Sequence, residues 1–446
     1  MKNRAFLLAA VGSTILWAAA AGALQICPDC LHHIHTWPTD GAPCDAGSTL
    51  QACIDSASSG DTVQIATNTP IDEALTIQLV QESLTLTAAP GFHPSFSSFD
   101  GIFVTSESGS NSITIEGLTL TSSGINVLQD STDPLMVAIG GNTMSVTSAS
   151  DAGAIRVESA TNGMVAFDIS SNVIESTRAP QGAPCIDFES ENASGRIASN
   201  TISIAGDETH VSDAIDVAGI TLSVDLIANR ISGTQYEEGI SLVDVGGGSA
   251  TARVLDNLVT GGSDGSGVLL SAKDGSISSS VINNTLDDNA VGVLIIGPGA
   301  ATVENNAITG SSGIGLEFDP NETDVSNQNN LYFGNATDLS SGNTPVPPGP
   351  NSVFAAPLYV DAPHGNYHLQ ASSPAIDAGD DAAVPADLTT DLDGSPRIQG
   401  AHVDIGAYET APEPDARVLA VTGLVALLGL GRGRGTTAFR SPARRG

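Results

Sequence analysis

The sequence predicts an all-β solenoid, and three observations carry that prediction: an asparagine that recurs at nearly even intervals, the apolar residues that frame it, and the scarcity of aromatic residues. Successive asparagines in this series are between 22 and 30 residues apart. A fixed period in this range is typical of a solenoid, in which each repeat buries its apolar face against its neighbours. The recurring residues are Asn142, Asn172, Asn200, Asn229, Asn257, Asn284 and Asn306.

Each of these asparagines has the same apolar neighbours in sequence. An aliphatic residue lies three positions before it and an apolar residue two positions after it, as Ile169 and Ile174 do around Asn172. Asn suits a turn because it tolerates left-handed backbone angles, and its amide can bond to the equivalent Asn one coil away. We therefore predict that the seven asparagines form a structural ladder along the solenoid.

A second mark, a small residue followed by aliphatic residues at alternate positions, lies between the asparagines. Alternation with period two places these aliphatic side chains inside the solenoid and the intervening residues outside. Each coil is therefore predicted to have strands on both sides of the Asn turn and one strand after the small residue. The first aliphatic residues of the mark are Ile155, Ile186, Ile215, Ile240, Val268, Val293 and Ile314.

Composition narrows the classes of function. Aromatic residues make up 4% of the 446 residues, glycine occurs 48 times, and the formal net charge is −35. Eight of the 15 Lys and Arg residues lie in residues 1–23 or 412–446, which leaves seven for the body of the chain. Such an acidic body repels phosphate backbones, which argues against nucleic-acid binding. Two alternative explanations of the acidity stay open: general solubility and specific cation binding.

The N-terminus predicts export. Residues 1–23 have the charged start, apolar stretch and small-residue cleavage site (Ala21-Gly22-Ala23) of a secretory signal peptide. Residues 24–61 are predicted to be a cysteine-containing leader and N-terminal cap. Within them, Leu50, Cys53 and Ile54 have helical spacing, and Ser48 is the candidate N-cap.

Four cysteines in this leader are disulfide candidates. Exported thiols are usually oxidised, which favours disulfides over a zinc site built on Cys27-x-x-Cys30 and the histidines that follow. Four cysteines allow three pairings, and the sequence leaves the choice open. The candidates are Cys27, Cys30, Cys44 and Cys53.

The repeated unit, an aliphatic residue, two variable residues, Asn, one variable residue and an aliphatic residue, resembles the right-handed parallel β-helix repeats of the pectate-lyase-like superfamily. The resemblance implies that residues 62–340 form a right-handed parallel β-helix with an N-terminal capping helix and a small C-terminal β module. It implies no single activity, because that superfamily includes lyases, hydrolases, epimerases and adhesins.

Residues 341–351 are rich in proline and are predicted to be a linker. Beyond them, residues 373–380 (SPAIDAGD), 391–397 (DLDGSPR) and 403–409 (VDIGAYE) are similar to motifs of a choice-of-anchor module. That module follows β-helices in many bacterial surface proteins. The resemblance assigns residues 352–411 to it.

Residues 412–446 resemble a PEP-CTERM sorting tail. They begin with Pro-Glu-Pro, continue with an apolar run from Val418 to Leu430, and then contain Arg432 and Arg434. The run is shorter than the ~20 residues that span a bilayer as a helix. The resemblance implies a protein exported to the cell surface or secreted from a bacterial envelope. It also implies transient membrane contact through the termini and a sorting or processing protease that acts on the tail.

Stacked coils bring equivalent outward positions within ~4.8 Å of each other, which predicts one charged patch on a sheet face. Carboxylates that close need a cation or a raised pKa. Calcium suits the patch, with Asp187, Glu189 and Asp216 as candidate ligands. Pectate-lyase relatives use calcium on such a face with a nearby basic residue, so Arg156 is either a candidate base or an ion-pair partner of Asp187. The predicted patch consists of Arg156, Glu158, Asp187, Glu189 and Asp216.

Asp391-x-Asp393-Gly394 resembles the start of a calcium-binding loop, and these two aspartates are the second candidate pair for calcium. The EF-hand pattern is incomplete because residue 402 is His. A turn stabilised by aspartate side chains fits the same residues. Arg397 is predicted to pair with Asp404 or Glu409.

The leading hypothesis is an exported cell-surface β-helix protein that is structural, or that binds carbohydrate or extracellular matrix without catalysis. Long parallel sheet faces present regularly spaced side chains, which suit extended glycans. The alternative is a calcium-dependent polysaccharide lyase or a glycoside hydrolase acting through the predicted patch. The sequence does not decide whether the protein is an enzyme, although few basic residues argue against a polygalacturonate substrate. Calcium is the one candidate cofactor.

Overall fold

The computed structural model describes residues 32–98, 100–146, 153–177, 183–205, 212–234, 236–320, 323–342 and 344–411. The predicted signal peptide, Cys27, Cys30 and the predicted sorting tail lie outside these residues. Within the described part of the chain, no helix is long and apolar enough to cross a membrane.

The described chain is mostly β-structure. One α-helix, α1 (Leu50–Asp55), and one 3₁₀-helix (Ala362–His364) are present in these residues. The strands are β1 (Ile34–Trp37), β2 (Thr62–Ile65), β3 (Leu75–Val80), β4 (Ser83–Ala88), β5 (Ser95–Phe96), β6 (Ile102–Ser108), β7 (Asn111–Glu116), β8 (Thr119–Thr121), β9 (Ile125–Gln129), β10 (Leu135–Gly140), β11 (Thr143–Val146), β12 (Ile155–Ser170), β13 (Val173–Ser176), β14 (Ile186–Ala198), β15 (Thr201–Ile204), β16 (Ile215–Ile227), β17 (Arg230–Gly233), β18 (Glu238–Leu255), β19 (Leu258–Thr260), β20 (Ser266–Ala272), β21 (Ser276–Ile282), β22 (Thr285–Asp287), β23 (Val291–Ile296), β24 (Gly299–Glu304), β25 (Ala307–Thr309), β26 (Ile314–Phe318), β27 (Thr323–Gln328), β28 (Leu331–Phe333), β29 (Thr337–Ser341), β30 (Thr344–Pro345), β31 (Tyr359–Asp361) and β32 (Asn366–Leu369).

Each strand of the repeats pairs in parallel with the equivalent strand of the next coil, which makes the chain a β-solenoid. Among the described residues, ten short strands form one continuous sheet in the order β28-β25-β22-β19-β17-β15-β13-β11-β8-β5. We call this sheet the third face; it lies after the Asn turn. The predicted all-β solenoid is confirmed, with about ten turns in the described chain.

The longest strands each contribute to two faces. β18 pairs with β20 through residues 238–244 and with β21 through residues 249–255. β12, β14 and β16 extend in the same way along two successive stretches. We call the stretch after the small-residue mark the first face and the stretch before the Asn turn the second face.

The core is a set of aliphatic columns inside the coils. Ile155, Ile186, Ile215 and Ile240 pair in register and are fully buried. In the last of the predicted coils, Val293 pairs with Leu316, and Ile314 pairs with Val291. The predicted equivalence of Ile314 with Val293 is therefore wrong by two residues. A shift of two leaves the same side chains facing inward, so alternation alone does not reveal it.

The N-terminal segment extends the solenoid. β1 pairs in parallel with β2, and α1 packs beside it with Leu50, Cys53 and Ile54 buried. The N-cap of α1 is Thr49, whose side chain accepts a hydrogen bond from the Ala52 N–H, and not the predicted Ser48.

The Ser48 hydroxyl instead donates to Asp45 at 2.8 Å, because Asp45 lies in the turn that precedes the helix. Cys44 and Cys53 form a disulfide bond, which ties that turn to α1.

The residues after the last coil fold back onto the solenoid. Val353 pairs with Leu331 of β28, so residues near 350 continue the coil. Residues beyond 354 then pack along the outside of the Asn turn. Leu392, Ala407 and Tyr408 bury apolar surface against Leu258 of the third face. We call residues 354–411 the C-terminal module.

Candidate functional site

The asparagines form a hydrogen-bonded ladder through the solenoid. The Nδ2 of each donates to the Oδ1 of the next at distances between 2.9 and 3.1 Å, and the same Oδ1 also accepts the backbone N–H of the earlier Asn. These side chains are almost completely buried. Every buried amide group in the column therefore has a partner, which fixes one coil on the next.

Two features of the ladder differ from the sequence interpretation. Asn330 is an additional member, bonded to Asn306 at 3.0 Å. It escaped notice because Asn327 occupies the position three residues earlier, which is aliphatic in the other repeats. The residue with left-handed backbone angles is also not the ladder Asn but the one before it, such as Ser199 with φ 57° or Asp256 with φ 57°. The expectation that the ladder Asn itself takes that geometry is wrong.

The structure brings the five residues of the predicted patch together on the first face. Arg156 pairs in register with Asp187, and Asp187 with Asp216; Glu158 pairs in register with Glu189. The Arg156 guanidinium lies 3.2 Å from the Glu158 carboxylate and 3.3 Å from that of Asp187. Among the described patch residues, Arg156 is thus the single cation, and two carboxylates engage it.

Burial raises the pKa values of two carboxyl groups in this patch. It raises the pKa of Asp187 to about 6, with Arg156 opposing the rise and Asp216 and Glu189 adding to it. The pKa of Asp216 is also raised by burial, and a hydrogen bond to Ser241 opposes this rise. Near pH 6 the Asp187 carboxyl group is therefore present in both protonated and ionised forms.

Three further acidic residues beside the patch were missed in the sequence. Burial raises the pKa of Asp213 to about 8 and that of Glu238 to about 7, with repulsion from Asp216 contributing to both. Asp213 accepts the Glu238 N–H at 2.8 Å, and Glu238 accepts the Ser266 N–H at 2.8 Å. Glu237 adds to the raised pKa of Asp213 and Glu238. Asp213 and Glu238 directly precede the small residue of the second mark, which was the available signal.

We call the enlarged set the acidic face. A carboxyl group that is protonated donates a hydrogen bond, and an ionised one accepts, so a row that holds both forms both donates and accepts hydrogen bonds. Among the described residues, no group of three or more His, Cys, Asp or Glu side chains is arranged to hold a metal ion. The acidic face consists of Arg156, Glu158, Asp187, Glu189, Asp213, Asp216, Glu237 and Glu238.

The second predicted calcium pair stabilises a turn. Asp391 Oδ1 accepts the N–H groups of Asp393 and Ser395 at 3.0 and 2.7 Å, and its Oδ2 accepts the Glu409 N–H at 2.8 Å. The Asp393 carboxylate lies 2.7 Å from Arg230 and 2.6 Å from His368. Protein donors thus occupy both carboxylates, and Asp393 also connects the C-terminal module to β17.

A buried ionic network holds the C-terminal module on the Asn turn. Arg397 lies 2.6 Å from Asp256 of the solenoid and 2.7 Å from Glu409 of the module, and all three side chains are buried. Of the two predicted partners of Arg397, Glu409 forms an ion pair, whereas Asp404 contributes only its backbone oxygen, at 3.4 Å. The outward residues just before the ladder also bind the module, since Asn283 donates to the Asp404 oxygen at 3.1 Å.

Comparisons with known proteins give a fold-level likeness. No protein-family model matches the chain. No curated protein sequence matches it either. A solved structure similar to it is that of pectate lyase Pel9A, with 12% sequence identity and a TM-score of 0.44. The match covers 84% of this chain and 96% of that one.

Proposed function

We propose that this protein is exported to the bacterial cell surface and binds a carbohydrate polymer along the acidic face, without cleaving it. Export rests on the signal-peptide and sorting-tail patterns of residues 1–23 and 412–446. The observation that carries the binding role is the alignment of carboxyl groups in adjacent coils, with Arg156, Asp187 and Asp216 in one outward row.

The geometry suits a polymer with regularly spaced hydroxyls. Neighbouring coils are ~4.8 Å apart, so a chain laid across the coils meets Arg156, Asp187 and Asp216 at successive, evenly spaced steps. Carboxyl groups with a pKa between about 6 and 8, such as Asp187, Asp213 and Glu238, can donate as well as accept hydrogen bonds at neutral pH.

The charge of the face selects among polymers. It has seven carboxyl groups and one guanidinium, so a polyanion is repelled and a neutral or amino-sugar polymer is favoured. Arg156 is held by Glu158 and Asp187 and is therefore poorly placed to act as a base on a substrate. These two features support binding over the cleavage of a uronate polymer.

The second candidate function is a polysaccharide lyase or glycoside hydrolase. One observation favours it: a carboxyl group whose pKa lies near neutrality can act as the general acid in glycoside hydrolysis. Asp187 and Asp213 have such raised pKa values. This alternative requires cleavage products, which binding alone does not give.

Two finer features of the fold belong to the same proposal. We infer that the solenoid is right-handed, because about 98% of parallel crossover connections have that hand. We also infer that α1 caps the open N-terminal end, where Leu50, Cys53 and Ile54 bury its apolar side. A crystal structure with left-handed coils, or with α1 detached from the first coil, would contradict these inferences.

One screen distinguishes polysaccharide binding from polysaccharide cleavage. The purified protein, from residue 24 onward, is applied to immobilised neutral, amino-sugar and uronate polysaccharides, and the same polymers are incubated with it with and without added calcium. We expect retention on a neutral or amino-sugar polymer and no release of reducing ends or of unsaturated, ultraviolet-absorbing products. Products that accumulate with time would establish the enzyme instead. Retention on none of the polymers would contradict carbohydrate binding.

A further inference from the structure

The first face changes from acidic to apolar beyond Asp216. In the next three coils, whose first-face strands are β18, β20 and β23, aliphatic side chains hold four outward positions, and the residues that alternate with them are buried in the core. We call these four residues the apolar strip: Val243, Leu269, Leu294 and Ile296.

The apolar strip is continuous with the acidic face. Leu269 pairs in register with Leu294, and the neighbouring column runs from Glu189 of the acidic face through Ala218 to Val243. Because neighbouring coils are ~4.8 Å apart, the acidic face and the strip together form one surface over six successive coils, ~24 Å from the first strand to the last.

The strip is open to a partner. Ile296 is 41% exposed, and the other three side chains are half-buried. The described C-terminal module packs on the Asn turn and the third face, and so leaves the strip uncovered. Single exposed apolar side chains are ordinary in soluble proteins, whereas a contiguous apolar patch marks an interaction surface.

The predicted sorting tail, residues 412–446, has matching chemistry. Residues 418–430 are an apolar run without a charged residue, and residues 431–446 contain five arginines and no acidic residue. The run suits the apolar strip, and the arginines suit the adjacent acidic face with its seven carboxyl groups. Complementary charges favour and orient such a contact. The same surface of a second copy is a poor partner, because face-to-face packing would bring carboxylates against carboxylates.

The tail is long enough to reach this surface. The described chain stops at Ala411, two residues after Glu409, which Arg397 holds at the Asn turn. Residues 258–266, which lead from the Asn turn to the first face, span at most ~30 Å, whereas the 21 residues from Ala411 to Arg432 span up to ~70 Å. The apolar run of 13 residues is ~20 Å long as a helix and longer as a strand, so either form covers the three coils of the strip.

We propose that residues 418–430 dock on the apolar strip of the same molecule, and that Arg432 and Arg434 then lie over the acidic face. The contact removes aliphatic side chains of both partners from water and places cations beside the carboxylates. Its consequence for carbohydrate rests on the proposed function: the docked tail competes with the polymer for the acidic face. Removal of the tail by a processing protease therefore strengthens polymer binding.

Trypsin cleavage after Arg432 measures the docking without any glycan, so the docking and the carbohydrate binding fail separately. The full chain from residue 24 onward is treated with dilute trypsin, and mass spectrometry follows the cleavage. Leu294→Ser with Ile296→Ser makes the strip polar. Met136→Ser is the matched control, because Met136 is an outward residue of β10 on the second face and is 43% exposed. A thermal melt checks that these variants fold.

We expect cleavage after Arg432 to be about tenfold or more faster in the strip variant than in wild type, since two aliphatic contacts are lost. Met136→Ser should be cleaved as wild type is, at a rate that does not depend on protein concentration. Equal cleavage of wild type and the strip variant would overturn the proposal. So would protection that disappears on tenfold dilution, because the occupant would then be the tail of a second molecule.

A tail variant tests the contact from the other side. Leu424→Asp with Leu427→Asp leaves the solenoid unchanged and should speed cleavage after Arg432 as much as the strip variant does, so it decides the matter if the strip variant does not fold. On the polysaccharide retained in the screen, this tail variant should bind about tenfold more tightly than wild type. Wild-type cleavage rates in the tail variant would overturn the docking, and unchanged affinity would overturn the competition with the polymer.

Discussion

Arg397 and Asp256 form a buried ion pair at 2.6 Å although they lie 141 residues apart in sequence. One residue belongs to the C-terminal module and the other to the turn just before the ladder residue Asn257. Glu409 shares the same guanidinium at 2.7 Å. The pair therefore joins the module to the solenoid in a place where water does not screen the charges.

The first prediction concerns this pair. Arg397→Met leaves Asp256 and Glu409 buried without a cation, and such a change typically costs about 3–5 kcal/mol. Arg230→Met removes the half-exposed pair with Asp393 and should cost about 1 kcal/mol or less. Urea unfolding of both variants at pH 9, where Asp256 and Glu409 are ionised, checks this. Equal losses of stability in the two variants would show that the buried network does not hold the module.

The second prediction concerns pH. Burial raises the pKa of Asp256 to about 8 and that of Glu409 to about 7, from 3.8 and 4.5. The folded state therefore holds more protons than the unfolded chain between these limits, so this stabilisation is fully present below about pH 4 and is lost as pH rises to 8. We expect the free energy of unfolding to fall from pH 5 to pH 8 and to level off above pH 9.

Urea unfolding at pH 5, 7 and 9 measures that trend. Asp213 and Glu238 shift in the same direction and add to it. Asp256→Asn removes one titrating group and should flatten the curve, whereas Asp324→Asn, at an exposed site on β27, should not. Stability that increases with pH across this window would contradict the assignment.

The third prediction concerns the ladder. In Asn229→Ala, the Asn200 amide groups lose the oxygen they donate to, and the Ile197 carbonyl loses its donor. Each buried group left without a partner costs about 1–3 kcal/mol, so the total loss should be about 3 kcal/mol or more. Asn68→Ala removes one hydrogen bond at an exposed site and serves as the control. A loss no larger than that of the control would show that the ladder is dispensable.

Much of the fold could be predicted because the repeat is a local pattern. The spacing of the asparagines from Asn142 to Asn306 reflects one coil of the solenoid, and the alternation around Ile155 and Ile186 follows from the two-residue period of strands. The same period hides a shift of two residues. The sequence therefore does not reveal that Leu316, and not Ile314, is the partner of Val293. Asn330 was missed because Asn327 breaks the apolar frame.

Less of the candidate site than of the fold could be predicted from the sequence. The outward row of Arg156, Asp187 and Asp216 follows from stacking, but the placement of Asp213 and Glu238 beside it depends on how the turns close. The contact of Arg397 with Asp256 depends on the path of the C-terminal module, and no local pattern encodes a contact between residues that far apart. Burial, and with it every pKa shift of these groups, needed the structure.

The fourth prediction tests the central proposal most directly. The dissociation constant for the polysaccharide retained in the screen is measured for wild type, for the double variant Asp187→Asn with Asp216→Asn, and for Asp324→Asn. Losing two carboxyl partners on the acidic face should weaken binding about tenfold or more, since each hydrogen bond to a charged group is worth about 1.5–3 kcal/mol. Asp324→Asn should bind as wild type does. A double variant that binds as tightly as wild type would contradict the acidic face as the glycan-binding surface.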